Sequence, residues 1–161
     1  MEDVGAATSI TNENVFIDVA NIGVETLNIT TASQNNLILE NSGQAISTIN
    51  LVGSGTIDIE NILFETLRTI NGKDSNANIS LQTQSNNLAV ELGLGDDSLS
   101  VVDGSVTIDT GLGDDSVSIM GGNNNFVETG IGDDNVDISV GENRIVLGAG
   151  KDIIAATGGV N

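Results

Sequence analysis

The chain has 161 residues, and its 39% of hydrophobic residues is enough to form a core. Its net charge of −19, from 23 acidic and 4 basic residues, opposes binding to nucleic acid or to an anionic membrane, because both depend on cationic contacts. The sequence contains no Cys and no His, which excludes disulfides, thiolate metal sites, His-ligated zinc and catalysis by imidazole.

Targeting signals of the usual kinds are not predicted in this stretch. Met1, Glu2 and Asp3 begin it with acidic residues, and no apolar segment follows, so we expect no cleavable signal peptide here. The apolar runs are much shorter than the roughly 20 residues of a membrane-spanning helix. We therefore predict no membrane insertion.

The residue types favour a repetitive β structure. Ile, Val and Leu supply nearly all the hydrophobic residues, with three Phe and no Trp or Tyr, whereas a compact core normally uses aromatic side chains to fill irregular space. The chain has 20 Gly and no Pro, so its turns depend on positive φ angles. Val, Ile and Thr dominate between the turns, which is typical of strands.

The N-terminal half repeats loosely. Residues 25–29, 47–51 and 65–69 share a pattern at offsets of 22 and 18 along the chain. A second series of apolar pairs is interleaved with them and continues into the C-terminal half: Val15/Ile17, Leu37/Leu39, Ile57/Ile59, Ile79/Leu81 and Leu99/Val101. Because this series has no visible break, the two halves are predicted to form one structure.

The C-terminal half repeats strictly. The pattern Gly-x-Gly-x-Asp begins at Gly93, Gly111, Gly130 and Gly148, at offsets of 18, 19 and 18 along the chain. The extra residue is expected in the Gly-Asn run at 121–124. Three apolar ladders keep the same step: Leu99, Val117, Val136 and Ile154; Val101, Ile119, Ile138 and Ala156; Val90, Ile108, Val127 and Ile145.

These periods predict an all-β parallel solenoid with two short strands in each coil of about 18–22 residues. We interpret 1–161 as one continuous solenoid of about seven or eight coils, with irregular coils in 1–90 and cation-binding coils in 91–157. An antiparallel sandwich also has regularly spaced strands, but it requires no special relation between positions one coil apart. Ladders at a fixed period therefore favour parallel stacking.

Stacked Gly-Asp turns create a site for a hard divalent cation. Asp97, Asp115, Asp134 and Asp152 are expected to form a column on an exposed edge, where two charges about 5 Å apart repel by about 0.8 kcal/mol in water and about 3 kcal/mol at a dielectric of 20. Calcium accepts six to eight oxygen ligands in irregular geometry, whereas magnesium demands a tight octahedron. The three gaps between four turns predict about three calcium ions.

The Asp residues also allow other interpretations. They could serve turn geometry alone, or resemble the paired carboxylates of glycosidases. Glycosidase acids need two unlike environments within a cleft, which a row of repeats does not offer, so the chain is not expected to be an enzyme. The opposite edge has Asn and Gly and is expected to bind calcium weakly or not at all. Lys151 makes the third site the least complete, and 72–74 could begin the row one coil earlier.

The four Gly-x-Gly-x-Asp turns between Gly93 and Ile154 resemble the RTX calcium-binding repeats of proteins that Gram-negative bacteria export by type I secretion. They lack the leading Gly of that family's Gly-Gly pair, which leaves a second row of ions open. The resemblance implies a right-handed parallel β-roll. It also implies calcium ligands at the four aspartates and at the backbone carbonyls near these glycines: Gly93, Gly95, Gly111, Gly113, Gly130 and Gly132.

The Thr-, Asn- and Ile-rich segments 25–29 and 46–59 are similar to the β-solenoid regions of RTX-type surface-layer proteins. This resemblance implies a secreted structural protein of the cell surface that associates with its own copies into a lattice. Any anchoring to cell-surface glycans is then expected outside these residues. Two alternatives stay open, namely the repeat block of a type I-secreted adhesin and the calcium-dependent tail of a secreted enzyme or toxin.

Overall fold

The computed structural model describes the backbone of residues 7–10, 14–18, 25–32, 35–40, 46–62 and 65–158, and the side chains of 25–32, 46–59 and 65–158. All regular structure in these ranges is β-strand. They contain no helix long and apolar enough to cross a membrane.

The strands are short, as expected when a turn follows every few residues. In chain order they are β1 (Ala7–Ile10), β2 (Asn14–Asp18), β3 (Thr26–Thr31), β4 (Asn35–Glu40), β5 (Thr48–Ile62), β6 (Thr69–Asn71), β7 (Asn76–Thr83), β8 (Leu88–Glu91), β9 (Ser98–Val101), β10 (Val106–Asp109), β11 (Ser116–Ile119), β12 (Asn125–Glu128), β13 (Asn135–Ile138), β14 (Asn143–Val146) and β15 (Ile153–Ala156).

Successive strands alternate between two parallel sheets, which makes the chain a β-solenoid. Sheet A contains β1, β3, β6, β8, β10, β12 and β14, and sheet B contains β2, β4, β7, β9, β11, β13 and β15. The long strand β5 belongs to both, because its first part pairs with β3 and its later part with β4 and β7. Residues 46–158 form about six coils, and β1 to β4 extend the stack upstream. The predicted parallel solenoid is confirmed.

The strict ladders of the C-terminal half are in register. Val117 pairs with Leu99 on one side and with Val136 on the other, and Ile108 pairs with Val90 and Val127 in the same way. The extra residue of the longer coil lies between β11 and β12, where 120–124 is one residue longer than the corresponding turns 102–105 and 139–142. Its expected place in the Gly-Asn run is confirmed.

The loose N-terminal repeat pairs differently from the sequence expectation. The pattern placed residue 66 above Thr48, at an offset of 18, but the structure pairs Thr48 with Thr69 and Ile49 with Ile70. The strand triplet Thr69-Ile70-Asn71 repeats Thr48-Ile49-Asn50, so the same residue types stack on each other. The offset of 18 was therefore wrong for this coil.

Two registers of the interleaved series are also shifted by two residues. Leu37 pairs with Ile59, although the period predicted Ile57. Leu99 pairs with Leu81, although the period predicted Ile79. A shift of two residues keeps every side chain on the same face of a strand. Alternation alone therefore cannot fix the register where coil length varies.

One continuous hydrophobic core fills the space between the two sheets. Its Ile, Leu and Val side chains are almost fully buried along the coils from Leu27 to Ile138. On β15 all four residues are exposed, and Ile154 is 46% exposed although the same ladder is buried at Val136, because no described strand covers the far side of β15. Each fully buried side chain of this size stabilises the fold by about 1.5–3 kcal/mol.

The turns of the solenoid line two edges of unlike composition. We call the row of turns at 92–97, 110–115, 129–134 and 147–152 the aspartate edge, because each ends in an Asp directly before a strand of sheet B. The opposite row, at 102–105, 120–124 and 139–142, is the asparagine edge, since Asn125 and Asn143 begin the strands that follow. The aspartate edge contains every site residue predicted from the sequence.

Candidate metal centre on the aspartate edge

The two acidic residues of each turn face opposite directions. Asp97, Asp115 and Asp134 are buried at 2%, 2% and 1% exposure, whereas the Asp that precedes each of them is exposed. The sequence placed the whole row on an exposed edge, and this prediction was wrong for the second Asp of each pair. The alternation that points Leu99 into the core also points Asp97 inward, because the two residues are two positions apart on one face.

Each buried carboxylate is tied to the coil before it through one oxygen. Oδ1 of Asp115 accepts the backbone N–H of Asp97 at 2.8 Å. The exposed carboxylates bind in the opposite direction, since Oδ1 of Asp96 accepts the N–H of Asp114 in the following coil at 3.0 Å. The buried column has three further bonds of the same kind: Ile79 N–H to Asp97 at 2.7 Å, Asp115 N–H to Asp134 at 2.9 Å, and Asp134 N–H to Asp152 at 3.1 Å.

The other oxygen of each buried carboxylate has no partner. Oδ2 of Asp97, Asp115 and Asp134 is inaccessible to solvent and forms no hydrogen bond with any described residue. A buried polar atom without a partner costs about 1–3 kcal/mol, and more when it carries charge. Three such atoms in a single column require a positive ligand or protons to compensate them.

A threonine hydroxyl beside Asp115 does not supply that compensation. The Thr110 side chain lies close enough to the Asp115 carboxyl to favour its charged form. However, Oγ1 of Thr110 donates its single proton to the carbonyl oxygen of Thr129 at 3.0 Å. We therefore treat Oδ2 of Asp115 as unpartnered. Oγ1 of Thr129, one coil further on, is also buried without a hydrogen bond to a described residue.

Burial makes two of the carboxyls weak acids in the absence of metal. Desolvation raises the pKa of Asp97 to about 7, against the N–H bond from Ile79 and with the help of the neighbouring charges on Asp115 and Asp96. Desolvation likewise raises the pKa of Asp115 to about 6. A bound cation would reverse this preference, because it favours the charged carboxylate.

The glycine carbonyls of the turns fall into two groups. The carbonyl oxygens of Gly93, Gly111 and Gly130 each accept an N–H from the next coil, at 2.8, 3.0 and 2.9 Å. No N–H of a described residue donates to the carbonyl oxygens of the other three predicted ligands, which are Gly95, Gly113 and Gly132. The second group is thus the better source of neutral oxygen ligands.

The close approach of stacked turns explains the second glycine of each repeat. Gly113 has a φ of +138°, which residues with a side chain rarely adopt. A Cβ at this position would collide with the carbonyl oxygen of Gly95 in the coil before. Only glycine lets the two turns stack closely enough for carbonyl and carboxylate oxygens of neighbouring coils to approach each other.

The oxygen set of this edge combines carboxylates with backbone carbonyls. Among the residues that the structure describes, no three acidic side chains converge on one point. A cation here would therefore be held by carboxylates of successive coils together with glycine carbonyls. In the last of the four turns Lys151 replaces the exposed Asp, so this turn has no exposed carboxylate at that position. The backbone N–H of Lys151 still donates to Oδ1 of Asp133 at 2.8 Å.

On the asparagine edge, a neutral side chain accepts the backbone N–H of the preceding coil. Oδ1 of Asn125 accepts the N–H of Val106 at 3.0 Å, as the buried aspartates do on the other edge. Unlike a carboxylate, the amide can also donate, and Nδ2 of Asn125 bonds Oδ1 of Asn143 at 2.8 Å. Nδ2 of Asn143 then bonds the carbonyl of Val140 at 2.8 Å. An Asn side chain is thus sufficient to bind the backbone of the preceding coil, and a carboxylate is not required for that contact.

The residues predicted from the sequence did not include Asn125, Asn143, Thr110 or Thr129. The two asparagines precede Asp134 and Asp152 by half a coil each, and this constant offset could have identified them. The threonines carry no such signal, because Leu92 and Leu147 occupy their position in the neighbouring turns.

Comparison with known proteins identifies no relative. The chain matches no protein-family model, and no curated protein or solved structure is significantly similar to it.

Proposed function

We propose that the chain is a structural rod whose C-terminal coils are stabilised by calcium ions bound along the aspartate edge. The observation that carries this proposal is the row of buried, unpartnered Oδ2 atoms on Asp97, Asp115 and Asp134. When bound, calcium supplies positive charge and a flexible shell of oxygen contacts.

The chemistry of the available ligands favours calcium over other metals. The site offers carboxylate and carbonyl oxygens, and the chain has no Cys or His to attract zinc or copper. Successive coils approach through irregular turns, which suits the variable coordination of calcium better than the strict octahedron of magnesium.

The chain's own residues would divide the work of binding. Asp97, Asp115, Asp134 and Asp152 hold the neighbouring coil through Oδ1 and leave a second oxygen for the ion. The carbonyls of Gly95, Gly113 and Gly132 add neutral ligands. Three gaps between the four turns support about three ions, and the gap beside Lys151 lacks one exposed carboxylate.

The repetition along the rod favours a structural role over catalysis. Each of the C-terminal coils presents nearly the same groups as its neighbours, and no described group stands apart as a catalytic centre would. Together with the resemblance to RTX surface-layer proteins, this supports a secreted segment that assembles with its own copies at the cell surface.

Calcium dependence is tested by circular dichroism and thermal melting in chelator, in calcium and in magnesium. We expect β content and melting temperature to rise with calcium, and magnesium to reproduce the effect only weakly. Native mass spectrometry should count about three bound ions, the number of gaps between the four stacked turns. Identical melting curves in calcium and chelator would refute the proposal.

A matched pair of triple variants separates metal binding from general acidity. Asp97, Asp115 and Asp134 changed to Asn should abolish the response to calcium. The corresponding changes at the exposed Asp96, Asp114 and Asp133 remove the same charge and should weaken it much less. Assembly is tested separately by electron microscopy of the calcium-loaded protein, in which two-dimensional order supports the lattice role and isolated particles contradict it.

A further inference from the structure

The aspartate edge carries an exposed row of large apolar side chains. Leu94, Leu112 and Ile131 are 52%, 43% and 59% exposed, and they lie directly above one another through parallel bridges between the turns. Ala149 continues the row in the next coil. We call these three large residues the apolar stripe. Turn positions are usually polar, and apolar side chains in a contiguous exposed row mark interaction surfaces more often than scattered ones do.

Two rows of carboxylates flank the apolar stripe. On one side Glu91, Asp109 and Glu128 are exposed and in register at the ends of β8, β10 and β12. On the other side lie the exposed carboxylates of Asp96, Asp114 and Asp133. Partial burial, and then the charges of Glu128 and Glu91, raise the pKa of Asp109, so the carboxylates of this first row are close enough to interact. The surface is thus an apolar line between two negative lines.

We propose that this surface docks an amphipathic α-helix that has a single apolar ridge with Lys or Arg residues on both sides. The apolar ridge would pack on Leu94, Leu112 and Ile131, and the basic residues would face the two carboxylate rows. Helix-in-groove recognition of this kind relies on apolar anchors one helical turn apart. This interaction is separate from calcium binding, which uses the buried oxygens beneath the same turns.

The spacing of the apolar stripe selects a helix rather than a strand. Neighbouring coils are about 4.8 Å apart, and anchors on a helix recur every turn of about 5.4 Å, so the mismatch is about 0.6 Å per step. Alternate residues of a strand are about 6.6 Å apart, which gives a mismatch of about 1.8 Å per step. Over the two steps of the apolar stripe the mismatch reaches about 3.6 Å for a strand, which is most of one coil spacing, but only about 1.2 Å for a helix. About ten helical residues cover the row.

Charge decides against the other partners. A second copy that docked through this same surface would bring its own carboxylate rows against these rows, and like charges repel. An anionic membrane is disfavoured for the same reason. Nothing of this kind opposes a cationic polypeptide, and complementary charge accelerates its association.

The test uses two synthetic peptides of about 14 residues, which is roughly 21 Å of helix. Both contain the same Leu and Lys residues, but in one the Leu residues form a single helical ridge and in the other they are distributed around the helix. Binding to the calcium-loaded protein is measured by calorimetry, and peptide folding by circular dichroism. We expect the ridge peptide to become helical and to bind about ten-fold or more tightly than its isomer.

Matched variants locate the contact. Changing Leu94, Leu112 and Ile131 to Ser should weaken binding of the ridge peptide by about ten-fold or more. Changing Met120 and Val140 to Ser removes exposed apolar side chains from the opposite edge, at 45% and 41% exposure, and should leave binding unchanged. All replaced side chains are exposed, and circular dichroism in calcium verifies that each variant has the native β content.

Three results would overturn the proposal. Equal affinity for the two peptides would show that charge alone attracts them to this acidic protein. Unchanged binding after the three stripe substitutions would place the contact elsewhere. Sedimentation showing dimers that disappear in the stripe variant would assign the surface to a second copy of the chain.

Discussion

Replacing Asp115 by Asn should change the stability of the protein in opposite directions with and without calcium. The Asn side chain retains Oδ1, so it can still accept the backbone N–H of Asp97, which in the wild type donates to Oδ1 of Asp115 at 2.8 Å. It removes the charge on the unpartnered Oδ2. Asn125 occupies the equivalent place on the other edge, where its Oδ1 accepts the N–H of Val106 and its Nδ2 donates to Asn143, so an amide is compatible with this backbone geometry.

The gain without metal follows from the pKa of Asp115. Burial raises it from 3.8 to about 6, so the folded state holds its proton more tightly than the unfolded state. A carboxyl with a raised pKa destabilises the fold as the pH rises from its unfolded to its folded value, and the full penalty remains above that. At about 1.4 kcal/mol per pH unit, a shift of this size corresponds to a penalty of about 3 kcal/mol at pH 8 in the absence of metal, which Asn is expected to remove.

Calcium should reverse the order of the two proteins. With the proposed ions bound, the wild-type fold should gain about 3 kcal/mol of stability per site when calcium is at 100 times its Kd. The Asp115→Asn variant would lack a charged group that faces two of the proposed sites, and it should gain much less. Wild type is therefore expected to be the less stable protein in chelator and the more stable one in calcium.

The assay is urea unfolding followed by circular dichroism at pH 8, in chelator and in millimolar calcium. Asn125→Asp is the matched control, since it places a carboxylate in the equivalent position of the edge that lacks the Gly-x-Gly turns. This variant should be destabilised under both conditions. The reasoning is refuted if Asp115→Asn shifts stability in the same direction in both buffers.

Three further outcomes follow from the same structure. In chelator, the stability of the wild type should fall as the pH rises from about 4 to about 7, because burial raises the pKa of Asp97 to about 7. Urea titrations at several pH values should show a shallower fall for the Asp97→Asn variant. Gly113→Ala should lower the melting temperature with and without calcium, because the new Cβ meets the carbonyl of Gly95, and an unchanged value would contradict the close stacking. Ile119→Ala should cost about 2–5 kcal/mol in urea unfolding, whereas Ile153→Ala, at a side chain that is 64% exposed, should cost less than about 0.5 kcal/mol.

The C-terminal coils could be predicted from the sequence because their length is nearly constant. In these coils a residue such as Val117 has only one apolar counterpart at the right distance in each direction, and its observed partners are the expected ones. The coil between Thr48 and Thr69 is longer, and the pattern aligned Thr48 with residue 66, three residues before its observed partner. Where Leu37 pairs with Ile59 and Leu81 with Leu99, the error was two residues, and period-two alternation is satisfied by any even shift. Only the stacking of whole coils selects one register.

The column of aspartates could also be predicted, but its burial could not. The repeat places Asp97 and Asp115 at equivalent positions, which implies that they stack. Whether the first or the second Asp of a pair enters the core depends on where the turn ends and the strand begins, and turn boundaries are poorly defined by sequence. Leu94 and its counterparts were overlooked for a related reason, because an apolar residue between two glycines belongs to neither strand pattern.

A comparison of the two edges indicates what the carboxylates add to the fold. Asn125 and Asp115 perform the same backbone task, and the amide completes a chain of hydrogen bonds that a carboxylate cannot form. Because each leaves one buried oxygen unpartnered, three buried carboxylates in place of amides are expected to destabilise the metal-free solenoid by several kcal/mol, and a whole domain is typically stabilised by only about 5–15 kcal/mol. Folding of these coils should then respond steeply to the concentration of the calcium ion that we propose binds the unpartnered oxygens. Amides along both edges would remove this dependence, so we propose that the carboxylates make the order of these coils depend on their ionic surroundings.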